Sequence, residues 1–109
     1  MRRMQSSGTV TLIAHRGASA LLPEHTLAAY ARAIEDGADF IEPDLVMTRD
    51  GVLVARHDRD LAASTDIASC AEFAAYAVPR ARGAGTAPGW PCENLSFAQV
   101  QQLRATEPM

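Results

Sequence analysis

Three short clusters of reactive side chains mark the first half of the sequence: His15-Arg16-Gly17, Glu42-Pro43-Asp44 and His57-Asp58. Imidazole is the side chain that both gives and takes a proton near neutral pH. Cleaving a phosphate diester needs a base for the attacking oxygen and an acid for the leaving one. His15 and His57, 42 positions apart (57 − 15), supply such a pair. Glu42 and Asp44 are two apart, so on a strand both point to the same side. Carboxylates held that close repel unless a cation or a shared proton lies between them. With no thiol or further imidazole adjacent, the oxygen character suits Mg²⁺ or Ca²⁺ better than Zn²⁺. Arg16 offers a planar fork to phosphate oxygens. These are the parts for metal-assisted cleavage of a phosphate ester.

Each part alone also has a plainer explanation. Glu-x-Asp is an ordinary solvent-facing alternation on many edge strands, a single strand-end histidine is more often structural, and a lone arginine is usually a surface residue. His25 reads as a local hydrogen-bonding or substrate-side residue. Asp58 could orient His57, but neighbours on a strand point opposite ways, so a solvated or capping role is the expectation.

The clusters need elements to hold them, and each follows an apolar run: Val10 to Ala14, Phe40-Ile41 and Val52 to Ala55. Each run has the length and Val/Ile content of a short buried strand. Reactive side chains at the downstream ends of successive strands are the pattern of a β/α barrel active site. Thr26 to Asp36 reads as the first helix, with Leu27, Tyr30, Ala31 and Ile34 as an apolar stripe facing a sheet and Gly37 as its stop. Asp39 to Leu45 reads as the second strand, with Pro43 tolerable only near a strand end or bulge. Arg49-Asp50-Gly51 is a turn, and Val52 to Ala55 the third strand. From Leu61 to Glu93 small residues, Pro and Gly break any periodicity, which predicts a loop-rich surface insertion with a short helix near Cys70 to Tyr76. Ser96-Phe97-Ala98-Gln99 fits a capping box, with Leu95 and Val100 as a hydrophobic staple, opening a helix from Phe97 to about Arg104.

At 109 residues the chain is at most one domain. A net charge of −3 with scattered arginines gives no footprint for nucleic acid. No stretch has the roughly 18 apolar residues of a membrane span. Met1 to Gly8 carries two charges but no apolar run, so it is not a complete signal peptide. Cys70 and Cys92 lack zinc-site spacing, leaving either one disulfide or two free thiols.

Together the motifs resemble the glycerophosphodiester phosphodiesterases, most of all the periplasmic bacterial type. The resemblance rests on His15-Arg16-Gly17-Ala18-Ser19, Pro23-Glu24-His25-Thr26, Glu42 through Gly51, and His57-Asp58, and runs to about Thr106. It implies a TIM (β/α)₈ barrel, cut short here to the first two or three strand-helix units plus the 61–93 insertion, with residues 1–109 as its N-terminal fragment. It implies a small-molecule glycerophosphodiester, such as glycerophosphocholine, hydrolysed to an alcohol and glycerol 3-phosphate. By residue, it implies His15 and His57 as general acid and base, Glu42 and Asp44 as ligands of Ca²⁺ or Mg²⁺, and Arg16 as a phosphate contact. It also implies a third metal carboxylate from a later strand, which no residue here matches. The family usually carries an Asp-Arg pair a few residues beyond the second histidine, where this chain reads Ala62-Ala63. A barrel needs about 250 residues, so the expectation is a fragment inactive alone. The rival readings are a truncated or purely binding product, and a phospholipase D-like barrel acting on intact lipids, which would want a greasier rim. Location is periplasmic by resemblance and cytoplasmic if the chain's start is its true start.

Overall fold

The computed structural model describes residues 10–107. Met1 to Gly8, expected not to be a complete signal peptide, lies outside them. Strand β1 (Ile13–His15) and strand β2 (Phe40–Glu42) pair in parallel, and helix α1 (Leu27–Glu35) connects them. This is one strand–helix–strand unit, the repeating piece of an α/β barrel. Thr26 caps α1, its hydroxyl accepting the Ala29 N–H at 3.1 Å. Gly37, at φ 98°, follows the helix as expected.

The stripe expected to face the sheet does not do so. Leu27 is 90% exposed and Ile34 58% exposed, while Ala29 and Ala33 are the buried pair of α1. The reason is close approach. The turn after β1 runs against the helix backbone, with the Ala18 N–H bonded to the Ala29 carbonyl at 2.9 Å. Only a small side chain fits there.

The expected strand Asp39 to Leu45 is split. Strand β2 stops at Glu42, and strand β3 (Leu45–Met47) starts a different sheet with β4 (Leu53–Ala55). Pro43 lies at the break, where its missing N–H interrupts no ladder. The third strand is also not a further parallel barrel strand: β3 and β4 pair antiparallel. Only residues 48–52 separate them, and a parallel crossover needs a dozen or more. Among the described residues there are three two-stranded sheets and no closed barrel. One strand–helix unit, not two or three, is formed.

Residues 61–93 are more ordered than a surface loop. They contain the hairpin β5 (Val78–Arg82) and β6 (Gly85–Gly89), together with single 3₁₀ turns. Pro79 and Pro88 face each other across that hairpin. Two prolines opposed in this way suit a pair that exchanges no ladder bond. The short helix expected at Cys70 to Tyr76 is a 3₁₀ helix, Ala71–Tyr76. The main apolar core lies in this region: Leu61, Ile67, Phe73, Trp90, Cys92 and Leu95 are buried together, with Val46, Val54 and Val100 packed against them. The Trp90 indole N–H donates to the Phe73 carbonyl at 2.8 Å. Cys70 and Cys92 are free thiols. Helix α2 (Phe97–Val100) has both bonds of the capping box but stops well short of Arg104. Among the described residues, no helix is long and apolar enough to cross a membrane.

Gly17 is the tightest point of the first unit. Its φ is 81°, and a Cβ there would lie 2.9 Å from the backbone carbon of Ala29. Gly17→Ala should therefore lower unfolding stability by about 2 kcal/mol or more. A shifted urea midpoint at constant slope checks this.

Candidate active site

The turn between β1 and α1 contains two non-glycine residues with left-handed backbone, Arg16 at φ 63° and His25 at φ 59°. Each such residue costs about 1–3 kcal/mol. They hold each other, the His25 N–H donating to the Arg16 carbonyl at 3.1 Å. Both side chains then converge on Asp44. His25 Nε2 is 3.2 Å from Asp44 Oδ2, and Arg16 Nε is 3.7 Å from the same oxygen.

Backbone pairing joins the first cluster to the second, and the residue before the third cluster bonds to Asp44. His15 lies opposite Glu42 in the parallel pair, with Nε2 3.5 Å from Glu42 Oε1. On the other side, the Arg56 N–H donates to the Asp44 carbonyl at 3.0 Å, which extends the β3–β4 ladder by one step. His57 follows Arg56 directly in the chain, just beyond the Asp44 end of this ladder, while His15 lies at the Glu42 end. His57 Nδ1 is 3.3 Å from Asp58 Oδ1, so Asp58 does reach its neighbour, contrary to the strand-alternation expectation. The alternation fails because β4 has already ended at Ala55.

Beneath the exposed groups lies a buried polar layer. Arg16 Nη1 donates to Glu24 Oε2 at 3.0 Å, and this buried carboxylate raises the guanidinium's already high pKa. Arg56 is buried beside it. Its Nη2 donates to the Glu24 carbonyl at 2.6 Å and its Nη1 to Ser64 Oγ at 2.9 Å, while burial lowers its pKa. The His25 ring is fully enclosed, and burial lowers its pKa below the ordinary value of 6.5. A neutral His25 has one N–H. Ionised Asp44 can only accept, so that proton belongs on Nε2, and Nδ1 accepts from the Tyr30 hydroxyl at 2.7 Å. Burial likewise raises the Tyr30 pKa. The result is a directed chain, Tyr30 to His25 to Asp44.

Residue type and spacing give Glu24, Tyr30 and Arg56 no part in the site, and the structure makes His25, expected as a local hydrogen-bonding or substrate-side residue, a partner of Asp44. Glu24 and His25 stand in the Pro23-Glu24-His25-Thr26 motif, which was the available signal. Arg56 lies between an apolar strand and a histidine and had none.

Two carboxylates are hard donors suited to a divalent cation. The recorded contacts of Asp44 both fall on Oδ2, and Glu42 is half-exposed. Among the described residues no group of three or more His, Cys, Asp or Glu side chains is arranged to hold a metal. Glu42 closes strand β2 and Asp44 precedes strand β3, so the two carboxylates are not on the one continuous strand expected for them. Beside His57, a depression of about 440 Å³ is lined by His57, Asp58, Arg59, Asp60, Arg80 and Pro91.

The fold of this chain recurs within larger solved chains. The glycerophosphodiester phosphodiesterase of Agrobacterium tumefaciens matches over 90% of this chain and 33% of its own, with a TM-score of 0.66 and 30% identity. A putative glycerophosphoryl diester phosphodiesterase of Silicibacter pomeroyi matches over 90% and 29%, with a TM-score of 0.62 and 31% identity. The sequence pattern of the glycerophosphoryl diester phosphodiesterase family matches residues 15–108, and the chain belongs to that family. A glycerophosphodiester phosphodiesterase of Arabidopsis thaliana is 55% identical over 62 residues, 57% of this chain and 17% of the relative. The Haemophilus influenzae glycerophosphodiester phosphodiesterase is 48% identical over 68 residues, 62% of this chain and 19% of the relative. The chain thus spans less than a quarter of these two curated relatives and about a third of the solved chains.

The enclosed His25 ring makes stability depend on pH. Its folded pKa lies below its unfolded one, so the unfolded state binds the extra proton as pH falls. In metal-free protein, stability should be full above about pH 6.5 and decline below it. His25→Asn should flatten that slope, as read from urea midpoints between neutral and mildly acidic pH.

Proposed function

We propose that this chain is the N-terminal part of a metal-dependent glycerophosphodiester phosphodiesterase, releasing an alcohol and glycerol 3-phosphate. The observation that supports this reading is the pairing around the acidic segment: His15 beside Glu42, and Arg56, the residue before His57, bonded to Asp44, with Asp58 at the His57 Nδ1. In the proposed reaction an oxygen nucleophile attacks phosphorus and the bond to the alcohol oxygen breaks. One imidazole takes the nucleophile's proton, and the other protonates the departing oxygen. Asp58 steadies His57 whenever the ring is charged. Arg16 is tied to Glu24 through Nη1, so its remaining guanidinium edge is the part that meets a phosphate oxygen. Glu42 and Asp44 hold Ca²⁺ or Mg²⁺, which when bound supplies positive charge for the phosphoryl oxygens. Tyr30 and His25 keep the Asp44 carboxylate oriented for that task.

The polar lining beside His57 supports a water-soluble diester over an intact lipid. Exposed apolar side chains on the strands, among them Ile13, Phe40, Ile41, Leu45 and Leu53, support burial by further barrel elements. The fragment alone should accordingly be inactive.

The test uses a protein of the relatives' full length that carries this segment, with glycerophosphocholine as substrate and glycerol 3-phosphate release as the readout. His15→Ala and His57→Ala should each lower kcat by about 10²–10⁴-fold. Chelator, Glu42→Gln and Asp44→Asn should each abolish most activity, with added Ca²⁺ or Mg²⁺ restoring only the chelated wild type. Undiminished turnover in both histidine variants excludes the acid–base roles.

A further inference from the structure

Beyond His57 the chain builds a second polar place whose residues, Asp58 apart, the reaction above leaves unused. A cleft of about 300 Å³ runs between the Leu61–Ala63 turn and the β5–β6 hairpin, lined by Asp58, Asp60, Ala62, Ala63, Arg80 and Arg82 among others. It shares Asp58, Asp60 and Arg80 with the depression at His57, so the two are continuous. Asp60 anchors the hairpin over this cleft. Its Oδ1 accepts the backbone N–H groups of Ala62 at 3.1 Å and Trp90 at 2.9 Å, and its Oδ2 accepts from Arg80. Gly89 packs so closely that a Cβ would lie 3.2 Å from Arg80. The wall is therefore fixed, and Ala62 and Ala63 contribute only methyl groups to the opposite side.

Asp60 and Arg80 neutralise each other. Asp58 sits at the His57 end, with Oδ1 3.3 Å from Nδ1 of that ring. Arg82, the last residue of β5, lines the cleft and is exposed, and its side chain has no hydrogen-bond or ion-pair partner among the described residues. One negative group near the reacting atoms and one positive group beyond it form a pattern. It complements an alcohol with an ammonium close to its oxygen and an anionic group further out.

We propose that this cleft receives the alcohol half of the diester, with Arg82 as its specificity-determining residue, selecting zwitterionic head groups over purely cationic ones. The inference rests on the phosphodiesterase reading, since it takes His57 as the place where the alcohol departs. Asp58, whose Oδ1 faces His57, meets the ammonium with Oδ2, and Arg82 meets the carboxylate through a charge-assisted hydrogen bond. No covalent step beyond the proposed hydrolysis is involved.

Glycerophosphoserine and glycerophosphoethanolamine differ by one carboxylate and make a clean pair of probes. In the full-length protein, kcat/KM should be higher for the serine diester. Arg82→Gln should cut the serine-to-ethanolamine ratio about tenfold, the size of one charged hydrogen bond. Arg82→Lys should retain most of the ratio. An unchanged ratio in Arg82→Gln, or a wild-type preference for the ethanolamine diester, overturns the proposal. Equilibrium dialysis separates this failure from that of the function. Wild-type protein that neither cleaves nor binds either diester overturns both readings. Arg82-dependent binding of the serine diester without cleavage overturns the reaction and keeps the subsite.

Discussion

One break between two strands decides where the reactive groups lie. At Arg16 the chain turns with a left-handed φ of 63° and its carbonyl is taken by the His25 N–H, so the β1–β2 pairing ends at Glu42, with Pro43 next in the chain. The chain leaves one sheet there and enters another at Leu45. Glu42 thereby stays with His15 on the parallel pair, while the Asp44 carbonyl accepts the Arg56 N–H at the end of the antiparallel pair. A continuous strand would have kept both carboxylates in one ladder. The break instead makes the Glu42-Pro43-Asp44 segment a joint between two sheets.

The joint is stiffened from below by groups that would be costly if separated. Glu24, His25, Arg56 and Ser64 are all buried, and each finds a partner within that layer or in its backbone. Such a layer adds little net stability, because desolvation offsets the attraction. Removing one member leaves another buried and unpaired, which costs several kcal/mol. The layer's contribution is thus specificity of geometry. The two left-handed residues, Arg16 and His25, fit the same logic: their local strain is tolerated because the surrounding bonds fix them.

Much of this was legible from residue types and spacing. The helix start at Thr26, its stop at Gly37, the turn at Asp50-Gly51 and the capping box at Ser96 are local signals, and local physics determines them. The three reactive clusters were also visible, because imidazoles and carboxylates at strand ends are conspicuous. What was hidden depends on partners distant in sequence. The exposed Leu27 and Ile34 show that an apolar stripe names a face without saying what covers it. The β5–β6 hairpin was masked by Pro79 and Pro88, which spoil a strand pattern when read singly and become compatible only when opposed. The role of Arg56 arises from the fold of the 3₁₀ turn that brings Ser64 back to it.

The enclosed position of Trp90 also determines what light can report about this molecule. It is the sole tryptophan of the sequence, and its indole is locked to the Phe73 carbonyl within the core formed by residues 61–95. Intrinsic emission will therefore follow the opening of that lobe. The joint around Pro43 lies in separate strands, so its loosening could leave the spectrum dark to the event. Fluorescence and a probe placed near His15 would then record different transitions of the same chain.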